Sequence, residues 1–275
     1  MKALISILRE EFHKSLIQQG ILTIDKNEVP SNADKDSRLS REISLYIAKK
    51  LEAETRKKCE GQTLGGKFEI ATMDFILKTF HYLNSLRPGK WHISRLGNRN
   101  SIKTSSFVQY QHLDYLKDLT RKDVLLASSL GNDYMVAPDI VVYREPEPDE
   151  IINSDCLLID NAVSTLSVIR QSANKLPILH ASISAKWTMR SDRAQNSRTE
   201  ALGLIRNRKG HLPHIDVVTA EPLPSRLASL ALGTGDIDCV YHFALYELIE
   251  AVKYTGAEDS IEMLDILIEG KRLKD

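Results

Sequence analysis

The stretch Ala181–Glu200, "ASISAKWTMRSDRAQNSRTE", decides the fold. Its first half belongs to a run beginning at "LPIL", in which Ser182, Ser184 and Lys186 alternate with Ile183, Ala185 and Trp187, the period of a β-strand over residues 176–187. Its second half changes period: Arg193, Ser197, Glu200 and Leu204 recur at helical spacing, which predicts a helix over roughly 193–208. A second apolar run, "HIDVVTAE" at 214–221, follows directly. Strand, helix and strand with a crossover of that length make a βαβ unit with parallel strands, so the chain is of the α/β class.

Working outward, "APDIVVYRE" (Ala137–Glu145) reads as another strand, entered after a proline and rich in β-branched residues. Helical spacing marks the opening residues, Ser37–Glu60, Gly65–Leu83 and two segments near the C-terminus. In the third of these, Glu69, Met73, Ile76 and Phe80 share a stripe, so Glu69 is expected to point inward. The acidic run "REPEPDE" (Arg144–Glu150) reads as a solvated surface loop.

With 275 residues the chain can bury about three quarters of its unfolded surface, and we read it as one domain over 1–275. No apolar run nears the roughly 20 residues that span a bilayer, so a cytoplasmic protein is expected. Cys59, Cys156 and Cys239 lack metal-type spacing and are odd in number, as for reduced thiols.

Lysines and arginines (37) balance aspartates and glutamates (37), so net charge names no partner. Its distribution does. Between Lys186 and Lys209 stand seven Lys/Arg against two acids, a local surface for a polyanion.

Chemistry enters at Lys186. A lysine at a strand end is ordinarily a surface residue, but Asp139 opens a neighbouring strand, Glu69 points inward and Glu200 lies on the helix that follows. Three carboxylates and a lysine suit metal-dependent phosphodiester hydrolysis. Hard oxygen ligands hold Mg²⁺, and the lysine steadies the attacking water and phosphate charge.

Arg190, Asp192 and Arg193 have a separate logic. Arginine pairs bidentately with guanine O6 and N7, and aspartate accepts from cytosine N4, so this element is suited to adjacent G·C and C·G pairs. Asp192 with Gln195 three residues on also reads as a helix N-cap with its capping-box partner.

These residues resemble the tetrameric type II restriction endonucleases whose sites share a CCGG centre, within the PD-(D/E)XK nuclease superfamily. The similarity is densest from "LHASISAKWTMRSDRAQNSR" through "RNRKG", "VVTAEP", "PSR" and "IDCVYHFALYEL", with "SNAD" and "GQT" matching near the N-terminus. It implies a central mixed β-sheet flanked by helices. It also implies a nuclease signature of Pro138-Asp139, Ser184-Ala185-Lys186 and Glu200, with Glu69 as an additional acid. Asp139 and Glu200 would ligate Mg²⁺ with the Ala185 carbonyl, two ions per site being expected. Alanine replaces the family's cysteine at 185, a change that a backbone ligand tolerates.

By the same resemblance Arg190, Asp192 and Arg193 read the CCGG core, Arg226 and Asp34 read the outer pair, and Gln62 approaches the minor groove. The implied site is GCCGGC, cut after the first G to leave four-base 5′ overhangs. The implied partners are double-stranded DNA, further copies in a homodimer or homotetramer, and a cognate DNA methyltransferase. Two other readings remain open at this point: a non-catalytic sequence-specific DNA-binding protein, and a junction or repair nuclease on the same scaffold.

Overall fold

A computed structural model describes residues 2–55, 61–96, 103–130, 137–189, 191–233 and 235–275, without the side chains of 61, 62 and 191–193. Helices α1 (Leu4–Gln18), α2 (Arg38–Lys50) and α3 (Gly61–Phe80) precede strand β1 (Trp91–Arg95), helices α4 (His112–Lys122) and α5 (Val124–Leu130), strand β2 (Ile140–Arg144) and helix α6 (Asp149–Ile152). Then come β3 (Ile178–Lys186), α7 (Ser191–Asn207), β4 (His214–Thr219), α8 (Pro224–Ala231), β5 (Cys239–His242), α9 (Leu245–Thr255), α10 (Glu258–Glu269) and β6 (Leu273–Lys274). The strands form a sheet in the order β1-β2-β3-β4-β5-β6. It is mixed: β1 and β2 are antiparallel, whereas β4 with β5 and β5 with β6 are parallel. This is the expected α/β architecture, a central mixed sheet flanked by helices.

The chain gathers into two compact units, one of Met1–Thr79, Ile183–Arg198 and Ile215–Asp275, the other of Phe80–Ser182 and Thr199–His214. Strand β3 and helix α7 pass from one to the other without a break in secondary structure. The first unit has its core around Trp187, whose ring meets Phe68 edge-on at 5.1 Å and Phe243 at 5.5 Å. In the second, Ile140, Val141 and Val142 are all buried, and Phe107 lies 5.3 Å from Tyr143.

Several expectations are corrected. Strand β3 does not present an open polar face: Ser182 and Ser184 are as buried as Ile183 and Ala185, because a strand inside a sheet covered on both sides has no solvent face. On α3 the deep stripe is Leu64, Phe68, Ala71 and Thr72, while Glu69, Met73 and Ile76 lie half-buried on its flank. The larger aromatic ring captured the core, and Glu69 was carried to the edge.

Helix α2 stops at Lys50, short of Glu60. Glu52 adopts φ 59°, and the Glu52 and Ala53 amides turn back onto the Lys49 and Ala48 carbonyls at 3.1 and 2.8 Å, closing the helix. The acidic run after β2 is also more than a solvated loop. Asp149 opens α6 and grips Arg170, which is 2% exposed, through Nε at 3.0 Å and Nη2 at 2.7 Å. Arginine's fork suits this bidentate geometry.

Cys156 and Cys239 are free thiols, the first exposed and the second buried; Cys59 lies outside the described residues. No described helix is long and apolar enough to cross a membrane.

Asp216 on β4 carries a testable strain. Burial, and then the negative charge of Asp238, push its carboxyl up to about 7, against a lesser pull from Lys274. A carboxyl whose pKa rises on folding favours the native state while protonated, and that contribution is lost as pH climbs from about 4 through 7. Asp216→Asn is therefore expected to raise Tm above pH 7 and change it little near pH 4, as read by thermal unfolding at both.

Candidate active site and DNA-reading surface

In the first unit the end of β3 is held by the end of β4. The Lys186 carbonyl accepts from Thr219 Oγ1 at 2.8 Å and from the Ala220 amide at 3.4 Å. Both strands therefore finish at the same edge, as the βαβ reading requires. Ser184 Oγ meets Ser197 Oγ at 3.4 Å, fixing the first turns of α7 against this strand. Lys186 is half-buried, and Trp187 and Met189 beyond it are 2% and 1% exposed.

Anchoring continues to Met189, just before the candidate base-reading residues. The Met189 amide donates to Glu221 Oε2 at 2.9 Å, immediately before Arg190. Arg190 itself lies outside the described residues, and so do the side chains of Asp192 and Arg193. Helix α7 begins at Ser191, two residues earlier than expected, which places Asp192 within its first turn and not at the N-cap. An acid there still complements the helix dipole.

Asp34 and Arg226 are brought together across 192 residues of sequence: Arg226 Nη2 donates to Asp34 Oδ2. The Asp34 segment is itself fixed, since Asn32 Nδ2 donates to the Ala220 carbonyl at 2.9 Å and the Asp34 amide donates to Ser40 Oγ at 2.9 Å. Glu221 lies 3.7 Å from Arg226 Nη1. Gln62 is the second residue of α3; its side chain is outside the described set.

In the second unit Asp139 is half-buried just ahead of β2, between buried Pro138 and Ile140. Its carbonyl accepts the Leu96 amide at 3.2 Å, which continues the β1–β2 pairing past the strand end. Glu200 is half-buried on α7 beside Ala201 and Leu204, each 1% exposed. The stripe through Ser197, Glu200 and Leu204 thus faces inward, as its spacing predicts.

Among the described residues no group of three or more His, Cys, Asp and Glu forms a ready-made cage for a metal. A hard cation does not need one. Carboxylates are the hard oxygen donors that Mg²⁺ takes up together with water. Asp139 and Glu200, both half-buried in the second unit, are donors of that type.

The buried Glu221 escaped the sequence reading. A carboxylate between an apolar strand and "PLP" was the available signal, since an acid in such company is buried only when paired.

Ser184-Ala185-Lys186 ends β3 and Pro138-Asp139 precedes β2, and sequence comparison gives the class, a type II restriction endonuclease. The family model described as "NgoMIV restriction enzyme" matches residues 12–275. The Type II restriction enzyme NgoMIV of Neisseria gonorrhoeae is 46% identical over 276 residues, covering 100% of this chain and 96% of its own. Among solved structures, the Type IIF restriction endonuclease Bse634I with cognate DNA aligns at 15% identity and TM-score 0.42, covering 94% of this chain and 92% of that one. A second Bse634I structure aligns at 14% and 0.40, over 95% and 91%. The chain belongs to the NgoMIV family of type II restriction endonucleases.

Proposed function

We propose that the protein hydrolyses double-stranded DNA with Mg²⁺ at a palindromic CCGG-centred site, GCCGGC, cutting after the first G to leave four-base 5′ overhangs. The observation that carries the site assignment is the pairing of Arg226 with Asp34. A G·C pair shows acceptors on guanine beside a donor on cytosine in the major groove. An arginine fork held beside a carboxylate is the complementary surface. Near-continuous similarity to a family member across the whole chain supports the rest.

Asp139, Glu200 and the Ala185 carbonyl would hold Mg²⁺, two ions per site. When bound, the metal would lower the pKa of its water and neutralise phosphate charge. Lys186 positions the attacking water and stabilises the charge that builds on the phosphate. Ser184, through Ser197, keeps α7 against the strand that carries Lys186. Glu69 is the additional acid. Arg190, Asp192 and Arg193 read the core, and Gln62 approaches the minor groove. Residues 1–275 act as a single domain, in a homodimer over each palindrome or a homotetramer of two dimers, in the cytoplasm beside a methyltransferase that protects the same site.

Plasmids with and without GCCGGC, incubated with Mg²⁺ and mapped at their ends, test this. Cutting confined to the site with four-base 5′ ends is expected; cutting without site dependence would end the proposal. Losing the Arg190 guanidinium should cost about 1–3 kcal/mol of discrimination at one G·C pair. The check is kcat/KM on the cognate and on core-substituted duplexes. An equal loss on all of them would make Arg190 a phosphate contact.

A further inference from the structure

Glu221 is 1% exposed, yet it is a carboxylate with three tasks. Oε2 accepts the Met189 amide at 2.9 Å, Oε1 accepts the Leu223 amide at 3.2 Å, and Oε1 also lies 3.7 Å from Arg226 Nη1. Its own amide donates to Thr219 Oγ1 at 3.2 Å, the hydroxyl that caps the Lys186 carbonyl. One side chain thus touches the residue next to Arg190 and the guanidinium paired with Asp34.

We propose that Glu221 is a positioning residue for sequence recognition, holding the core-reading element and the outer-pair reader Arg226 in a fixed relation to each other. This rests on the assignment of Arg226 and Asp34 to the outer base pair. Two amide donors alone would be served by a neutral acceptor. The negative charge adds a hold on Arg226 through Nη1 while Asp34 takes Nη2, so the guanidinium is aimed before DNA arrives. A pre-aimed side chain loses less freedom on binding, and the gain falls on the correct base alone.

The charge is costly. Burial pushes the Glu221 carboxyl up to about 7, while the Met189 amide, Arg226 and the Leu223 amide pull the other way and Asp34 adds a small upward push. Among the described residues, the charged or titratable groups facing it are Arg226 of α8, Asp34 ahead of α2 and His242 of β5. Burial holds His242 down to about 4 and so neutral in the relevant range. Falling pH discharges Glu221 and leaves Arg226 held by Asp34 alone.

The test uses the full-length enzyme, a GCCGGC duplex and duplexes that keep CCGG but change the outer pair. The readout is the ratio of kcat/KM between them, from which the ionisations of the cleavage step cancel. Arg226→Ala should abolish the ratio, and Glu221→Gln should lower it about tenfold at pH 8. In the unmodified enzyme the ratio should fall by a similar factor between about pH 8 and 6, whereas in Glu221→Gln it should be flat.

If Arg226→Ala abolishes selectivity while Glu221→Gln keeps both the ratio and its pH dependence, Glu221 merely fills the interior and the inference is overturned alone. If Arg226→Ala leaves the ratio intact, the outer-pair reading fails and takes the inference with it. Should Glu221→Gln not fold, the unmodified enzyme decides, and a ratio that is flat in pH overturns the proposal.

Discussion

Asp139→Ala is expected to lower Mg²⁺-supported cleavage of cognate DNA by at least about a thousandfold, while specific binding in Ca²⁺ survives. A thousandfold is about 4 kcal/mol of activation free energy, within what one metal centre contributes to phosphoryl chemistry. The substitution deletes a carboxylate without freeing the backbone beneath it. Pro138 and Ile140 are buried on either side, and the Asp139 carbonyl stays bonded to the Leu96 amide. Loss of binding together with cleavage would point to a collapsed strand end. Unchanged cleavage would remove Asp139 from the metal set. Chelation of the metal should reproduce the phenotype reversibly.

Trp187→Ala is expected to cost about 3–5 kcal/mol of stability, the range for deleting a large buried aromatic. Trp187 is 2% exposed and sits between Phe68 and Phe243 in the core of its unit, so its removal leaves a cavity bounded by α3 and the β5–α9 connection. Trp187→Phe should cost much less. It keeps a ring against both neighbours and removes an indole Nε1 that has no hydrogen-bond partner among the described residues. Denaturant melts of both variants check the order. A small loss in the alanine variant would mean that the aromatic cluster does not support the end of β3.

Much of this scaffold was readable before any coordinates. Alternation over 176–187 and helical spacing over 193–208 correspond to β3 at Ile178–Lys186 and α7 at Ser191–Asn207, because burial demands those periods. Strands β5 and β6 were not readable. They span Cys239–His242 and Leu273–Lys274, too short to show a period, and they exist because β4 offers an edge to β5 and β5 in turn to β6. The end of α2 was missed because its closure depends on Glu52 taking a left-handed conformation, which neither its residue type nor its spacing signals.

The candidate residues were legible as types, and only the family resemblance set Asp34 and Arg226 on one base pair. Composition and spacing near "SNAD" do not announce "PSR" 192 residues away, and the meeting of the two follows from tertiary folding. Glu221 was invisible for the same reason: a buried carboxylate reveals its purpose only through what surrounds it.

Between Lys186 and the first residue of α7 lie only Trp187, Thr188, Met189 and Arg190, the first and third packed away from solvent. If Lys186 serves hydrolysis and Arg190 to Arg193 read the core, as proposed, a tether this short leaves little freedom to change the second without disturbing the first. Asp34 and Arg226 arrive on separate segments and are coupled to this one through the Glu221 side chain instead of through consecutive residues. On the proposed roles, substitutions at 34 and 226 should alter the outer pair with less effect on cleavage than substitutions within 186–193. An engineer seeking a new cutter from this scaffold should diversify positions 34 and 226 and leave 186–193 alone.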